Sequence, residues 1–272
     1  MKYKKSTLTG ISSVAIHSAT HENQEFAHVT PIYASSTFTF DSALQGMERF
    51  AGEDKSRIYS RWGNPTFTAA EQTIEALESF GIMDAKGNPI TLKAIIHASG
   101  QAAMATLFLS NLKAGDIILS HFSLYGGTQE LFQKVLAGAG IKTMIADLSE
   151  PEKLEDCIQK NPGIRMLHIE TPANPTIQCI NIESTTSIAK KHGLIVSVDN
   201  TFATPYLQQP FRYGVDFVIH STTKFLNGHG TSIGGVLLGR DVEFMKTVAL
   251  EWGVVVGGNS NPVFAFLLLE GV

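Results

Sequence analysis

Lys224 lies in the run from Asp216 to Gly230, where an apolar stretch, Phe217-Val218-Ile219, breaks into a hydroxyl-rich turn that holds one lysine. A lysine that follows a buried strand can be partly desolvated, which favours the free amine and suits it to attack a carbonyl and form a Schiff base. Ser221 and Thr223 flank it with hydroxyls placed to hydrogen-bond a phosphate. A surface lysine in a turn is the alternative reading of the same residues.

Other segments carry compatible chemistry. Ser99-Gly100-Gln101-Ala102 follows one apolar run and opens a helical pattern, so the backbone N–H groups of Gly100 and Gln101 would face an anion with help from the helix dipole. The spacing is neither a P-loop nor a GxGxxG turn, and an ordinary strand-to-helix turn has the same appearance. Asp199 ends the apolar run Val196-Ser197-Val198, and a carboxylate there needs a partner. A protonated ring nitrogen would serve, as would a role in capping the next turn. Tyr125, before Gly126 and Gly127, could stack on a planar cofactor or simply pack as a tyrosine. Asn174 stands between Pro172 and Pro175, where a rigid backbone would aim its amide at a ring oxygen or form only a turn. Tyr59 and Arg61, two residues apart in an extended stretch, point the same way and could grip one phosphate, Arg61 through charge-assisted hydrogen bonds. An exposed arginine beside a packed tyrosine is the plainer alternative.

These residues require strands and helices to place them. Residues 1–60 have little sustained periodicity and read as an extended arm with short helical pieces, suited to packing on a neighbouring subunit. Pro65 fits a first helical turn, with Ala69, Ala70, Ile74, Leu77 and Phe80 as an apolar face ending at Gly81. Short apolar runs then alternate with amphipathic segments: 94–98 then 101–112, 116–119 then 128–138, 142–146 then 151–160, 166–170 then 183–192. The runs 194–198, 217–220 and 235–238 follow, then a helical pattern over 241–250. That alternation predicts an α/β fold, a mostly parallel sheet flanked by helices, in which ligands gather at the carboxyl ends of the strands.

Composition narrows the function classes. The chain has 272 residues, 43% of them hydrophobic, and a net charge of −4 with no basic stripe, which argues against nucleic acid and for small-molecule chemistry. Two cysteines, Cys157 and Cys179, make neither a disulfide framework nor a CxxC pair, so a reducing, cytoplasmic setting is expected. No apolar h-region follows the basic start, and no run approaches the roughly 20 residues that span a membrane. The nine histidines form no HExxH and no metal-ligand spacing, and no GxSxG elbow is present, so no metal and no serine hydrolase are expected.

Taken together, the segments resemble the cysteine and methionine metabolism (trans-sulfuration) family of pyridoxal-phosphate enzymes, most strongly over Asp216–Gly230. The resemblance implies the fold type I, aspartate aminotransferase-like architecture: an arm over 1–60 reaching a neighbouring subunit and a large cofactor-binding domain over 61–256. Residues 257–272 would begin a helix leading to a smaller carboxy-terminal domain of roughly 100 residues, which the chain is expected to lack along with that domain's substrate-carboxylate arginine. It implies that Lys224 forms the Schiff base and, with Tyr125, is catalytic. Asp199 would pair with the pyridine nitrogen, Tyr125 would stack on the ring and Asn174 would meet its oxygen. Gly100, Gln101, Ser221 and Thr223 would bind the phosphate, joined by Tyr59 and Arg61 from the neighbour in a homodimer or homotetramer.

Within the family, two details favour γ-replacement. Gly127 stands where methionine γ-lyases typically carry cysteine, and His229-Gly230-Thr231-Ser232-Ile233-Gly234-Gly235 resembles O-acetylhomoserine sulfhydrylases. The expected reaction is therefore transfer of sulfide or a thiol onto an O-acyl-homoserine, giving homocysteine or methionine. A C–S lyase acting on methionine or cystathionine is the second expectation, and a partial subunit that holds cofactor without turnover is the third.

Overall fold

Seven short strands form one sheet in the order β1-β7-β6-β5-β4-β2-β3. They are β1 (Lys93–His97), β2 (Ile117–His121), β3 (Lys142–Ala146), β4 (Ile164–Glu170), β5 (Ile195–Asp199), β6 (Phe217–His220) and β7 (Gly235–Gly239). The computed structural model describes residues 8–19, 27–54 and 56–272. From β3 to β6 every neighbouring pair is parallel. β7 runs antiparallel to both β6 and β1. The alternating pattern did not foretell that reversal; its cause is that residues 221–234 between β6 and β7 contain no helix to carry the chain across the sheet.

Both faces of the sheet's central strands are buried, so these strands are largely apolar on both sides. Leu167, Ile169, Val196, Val198 and Val218 face one core layer, shared with helices Pro65–Glu78, Pro151–Lys160 and Ile182–Lys191. Met166, Phe217 and Ile219 face the other, shared with helix Gly100–Asn111 and the segment Gly126–Leu136, where an α-turn passes into a π-turn at Leu131. The apolar pattern over 241–250 is likewise broken, into Val242–Phe244, a π-turn over Met245–Ala249 and helix Leu250–Val256.

Helix Pro65–Glu78 has proline in its first turn, and Asn64 caps it by accepting from the Thr66 N–H at 2.9 Å. It buries Phe67, Ala70, Ile74 and Leu77. Its acidic side does different work. β1 is an edge strand, and Glu75 and Glu71 accept from the Ala94 and Ile96 N–H groups at 2.8 and 3.2 Å while both pair with Lys93. The free donors of the edge are thereby satisfied within the chain.

Before this helix, Ile11–His17 packs Val14 into the same core layer. Ala43–Ala51, capped by Ser42 and closed by Gly52 at a φ of +77°, leaves Leu44, Met47 and Phe50 exposed. At the other end, helix Pro262–Gly271 rests on Pro65–Glu78 and buries Ala265 and Leu268.

Candidate functional site

The carboxyl ends of β1, β4, β5 and β6 open onto one cavity of about 230 Å³. Five segments, far apart in sequence, bring eight residues singled out from the sequence to its wall: Gly100, Gln101, Tyr125, Asn174, Asp199, Ser221, Thr223 and Lys224. Strand register fixes the acids, since Glu170 at the end of β4 lies opposite Asp199 at the end of β5.

The helix Gly100–Asn111 starts at this wall. Ser99 caps it by accepting from the Ala102 N–H at 3.1 Å, which leaves the first two N–H groups, of Gly100 and Gln101, at the cavity. Gly100 is required by packing: a Cβ there would lie 2.9 Å from the Ser221 Cβ and 3.3 Å from its Oγ. The missing side chain at Gly235 is required in the same way, by backbone, whereas Gly127 is crowded by side chains alone. A Cβ on Gly235 would meet the Ser99 carbonyl oxygen at 2.2 Å, and one on Gly127 would meet Gln101 Nε2 at 2.4 Å and the Tyr125 ring at 2.5 Å.

Thr201 joins two strand ends. Its hydroxyl donates to Asp199 Oδ1 at 2.5 Å and accepts from the Ser221 N–H at 2.8 Å, and its own N–H donates to the same carboxylate oxygen at 3.0 Å. Burial raises the pKa of Asp199, with the Thr201 hydrogen bonds and nearby His220 opposing the shift. Behind it, the fully buried His220 holds Glu78 at 2.7 Å, and Asn200 donates to the same Glu78 oxygen at 3.2 Å.

Glu170 accepts from the Tyr125 N–H and the Asn174 N–H, both at 2.8 Å. Burial, and after it the charge of Asp199, push its pKa up to about 7 against those two bonds. Glu170, Thr201, Ser99, Met104, Pro172 and Phe202 line the cavity and were absent from the sequence-based set. The logic that flagged Asp199, an acid ending an apolar run, applies equally to Glu170.

Two expectations are corrected. Lys224 is exposed at the cavity wall, so in this chain its position among the site residues, rather than desolvation by the preceding strand, singles it out. The Thr223 hydroxyl is committed to Gly234, donating to its carbonyl at 3.2 Å and accepting from its N–H at 3.0 Å, which leaves Ser221 as the hydroxyl facing Gly100.

Tyr59 and Arg61 do not reach this wall. They line a separate cavity with Ser35, Ser36, Asn259 and Asn261, where the Arg61 guanidinium lies 5.4 Å from the Tyr59 ring centroid and 5.2 Å from that of Trp62. The two residues stay together, as their spacing implied, on a surface apart from the other eight.

The donor set suits a planar, phosphorylated aldehyde. The Gln101 Nε2 is buried with no hydrogen-bond partner, and the helix start beside it presents further donors to an anion. Tyr125 offers a ring, Asp199 a carboxylate and Lys224 the primary amine. Among the described residues no group of His, Cys, Asp and Glu could hold a metal, and no helix is long and apolar enough to cross a membrane.

A family model described as Cys/Met metabolism PLP-dependent enzyme matches residues 12–272. An L-methionine gamma-lyase of Porphyromonas gingivalis is 38% identical over 275 residues, covering 100% of this chain and 65% of the relative. An O-succinylhomoserine sulfhydrylase of Pseudomonas aeruginosa is 32% identical over 260 residues, covering 96% and 61%. The crystal structure of metB from Corynebacterium glutamicum superimposes with a TM-score of 0.85 at 32% identity, covering 99% of this chain and 64% of that one. The chain thus spans slightly under two thirds of the length of these relatives.

Proposed function

The chain belongs to the Cys/Met metabolism family of PLP-dependent enzymes, and on that premise we propose that its strand-end cavity binds pyridoxal phosphate and serves to remove the γ-substituent of an amino acid. The observation that carries this reading is the convergence of Lys224, Asp199, Tyr125 and the helix start at Gly100 on one cavity.

When bound, the cofactor supplies an electron sink for charge developing on the substrate. The chain's own residues do the rest. Lys224 would hold the cofactor through its amine, condensing with the aldehyde carbon with loss of water, and when free would carry protons at the substrate Cα and Cβ. Asp199 would hold the proton on the ring nitrogen, Tyr125 would cover the ring and serve beside Lys224 as the second catalytic residue, and Asn174 would bind the ring oxygen. Gly100 and Gln101 N–H groups and the Ser221 hydroxyl take the phosphate, with Thr223 bracing the turn through Gly234.

The cavity wall contains two acids, Glu170 and Asp199, and one lysine. A phosphate dianion needs more positive charge than that. Arg61 of a second copy would supply it, with Tyr59 as a further donor, making the site a property of a homodimer or a tetramer of two dimers. The free Cys157 and Cys179 fit a cytoplasmic setting.

Replacement with sulfide or a thiol on an O-acyl-homoserine is the first reading. Gly127 supports it, because methionine γ-lyases typically carry cysteine at this position. Elimination from methionine is the second reading, supported by relatives named L-methionine gamma-lyase. Incubating the protein and pyridoxal phosphate with O-acetylhomoserine plus sulfide, and separately with methionine, discriminates them. Homocysteine from the first mixture supports replacement; 2-oxobutanoate and methanethiol from methionine, with no homocysteine from the first, overturns it.

A further inference from the structure

Glu170 has two carboxylate oxygens and two backbone partners on different loops. Oε2 accepts from Tyr125, at the junction of β2 with the helix Gly126–Glu130, and Oε1 accepts from Asn174, in the loop after β4. β4 lies between β2 and β5 in the sheet, so this one side chain lines the cavity between the strand that leads to Tyr125 and the strand that ends in Asp199. We infer that Glu170 is a positioning residue of the cofactor site, whose carboxylate ties together the Tyr125 and Asn174 loops that flank the cofactor ring. The inference rests on the cofactor reading above.

The placement is a costly one. Glu170 is 5% exposed, and its register partner on the next strand is another acid, Asp199. Of the other charged groups facing it, Lys224 stands in the cavity wall and is exposed, and no arginine or histidine lines the cavity. A neutral glutamine of the same shape would avoid the charge, but an amide has one acceptor oxygen. Its NH₂ would face one of the two N–H groups, donor against donor. Only a carboxylate accepts from both loops at once, and the two bonds offset its desolvation. The elevated pKa of Glu170 gives this clamp a pH dependence, because protonation near 7 removes one acceptor.

The test compares pyridoxal phosphate binding to the full chain and to its Glu170→Gln form. Three quantities are read: the dissociation constant across the pH range around 7, the induced visible circular dichroism of the bound cofactor, and the urea midpoint without cofactor. Loss of one charge-assisted bond weakens affinity about tenfold or more. The expected result is that loss in Glu170→Gln, with reduced induced dichroism, no weakening of affinity below pH 7 of the kind shown by the unmodified chain, and no lower urea midpoint. Wild-type affinity and dichroism in Glu170→Gln overturn the inference, as does a loss of affinity matched by a lower urea midpoint. If Glu170→Gln does not fold, Glu170→Asp carries the test: it keeps the charge but not the reach to both loops. It is expected to show reduced dichroism, and unchanged dichroism overturns the inference. An unmodified chain that fails to bind pyridoxal phosphate sinks the cofactor reading itself, whereas unaffected variants sink only the role of Glu170.

Discussion

The strand-end cavity and the cavity around Tyr59 and Arg61 are opposite in charge. The first is walled by Glu170, Asp199 and Lys224; the second contains Arg61 and no acid. Among the described residues Arg61 pairs with no carboxylate and rests on the rings of Tyr59 and Trp62. The way each is built differs as well. Residues of the first ride on strand ends fixed by sheet register, whereas Tyr59 and Arg61 lie in an irregular segment held by backbone contacts such as Phe38 to Ile58. One cavity is rich in acids and lacks a cation for phosphate, and the other has a cation with no ionic partner. Two copies of the chain could satisfy both.

The largest expected effects break that pairing. Lys224→Ala abolishes the visible absorption of covalently bound pyridoxal phosphate, and Arg61→Ala weakens cofactor binding without touching the strand-end cavity. If Arg61 serves the neighbour's site, mixing the two variants at a cofactor concentration too low to load Arg61→Ala restores activity. Random pairing makes half the dimers mixed, each with one intact site, so recovery approaches about a quarter of the unmodified rate. No recovery after subunit exchange, verified by mass spectrometry, would place Arg61 outside the site.

Much of the first cavity was legible because its logic is local. An apolar run followed by a polar or small residue marks a strand end, and ligands gather at such ends; Lys224, Asp199, Tyr125 and Gly100 were found that way. What could not be read was partnership. Nothing local says that Glu170 spends both oxygens on loops 45 and 4 residues away, or that Thr201 links Asp199 to Ser221. The reversal of β7 was hidden for a similar reason: its apolar run is compatible with either direction, and the missing crossover helix decides. Exposure of Lys224 was misjudged because burial varies residue by residue in the turn after the strand, where Thr222 and Leu226 are buried and Lys224 is exposed.

A second pair of variants compares how firmly the two regions are built. Glu78 and His220 are both fully buried, and they brace the ends of the strands that carry Asp199 and Ser221. Removing one partner, as in Glu78→Ala, leaves His220 and Asn200 without their buried acceptor and costs about 1–3 kcal/mol in urea unfolding. Arg61→Ala, at a surface segment, changes stability by about 0.5 kcal/mol or less. Comparable losses in the two variants would mean that the strand-end cavity is no more rigidly founded than the other.

The last comparison concerns acidity, and its sign separates the two cavities. Glu170 ionises with a pKa of 4.5 when unfolded and about 7 when folded. Between those values the folded chain holds a proton that the unfolded chain has released, so its contribution to stability falls as pH rises through that window and is level above it. Buried His97 and His168, lowered by desolvation to about 4 and about 3, act the other way: the unfolded chain takes up protons first, and stability is lost as pH falls below 6.5. Near pH 6 the two trends oppose each other in the unmodified protein. Glu170→Gln removes only the first, so its stability relative to the unmodified chain should climb with pH from 4.5 to about 7, by at most about 1.4 kcal/mol per pH unit. Arg61→Ala, in a cavity lined by no acid and no histidine, should run parallel to the unmodified chain over the same range. A climb in Arg61→Ala, or none in Glu170→Gln, would show that the charge cost of the strand-end cavity is not borne by Glu170.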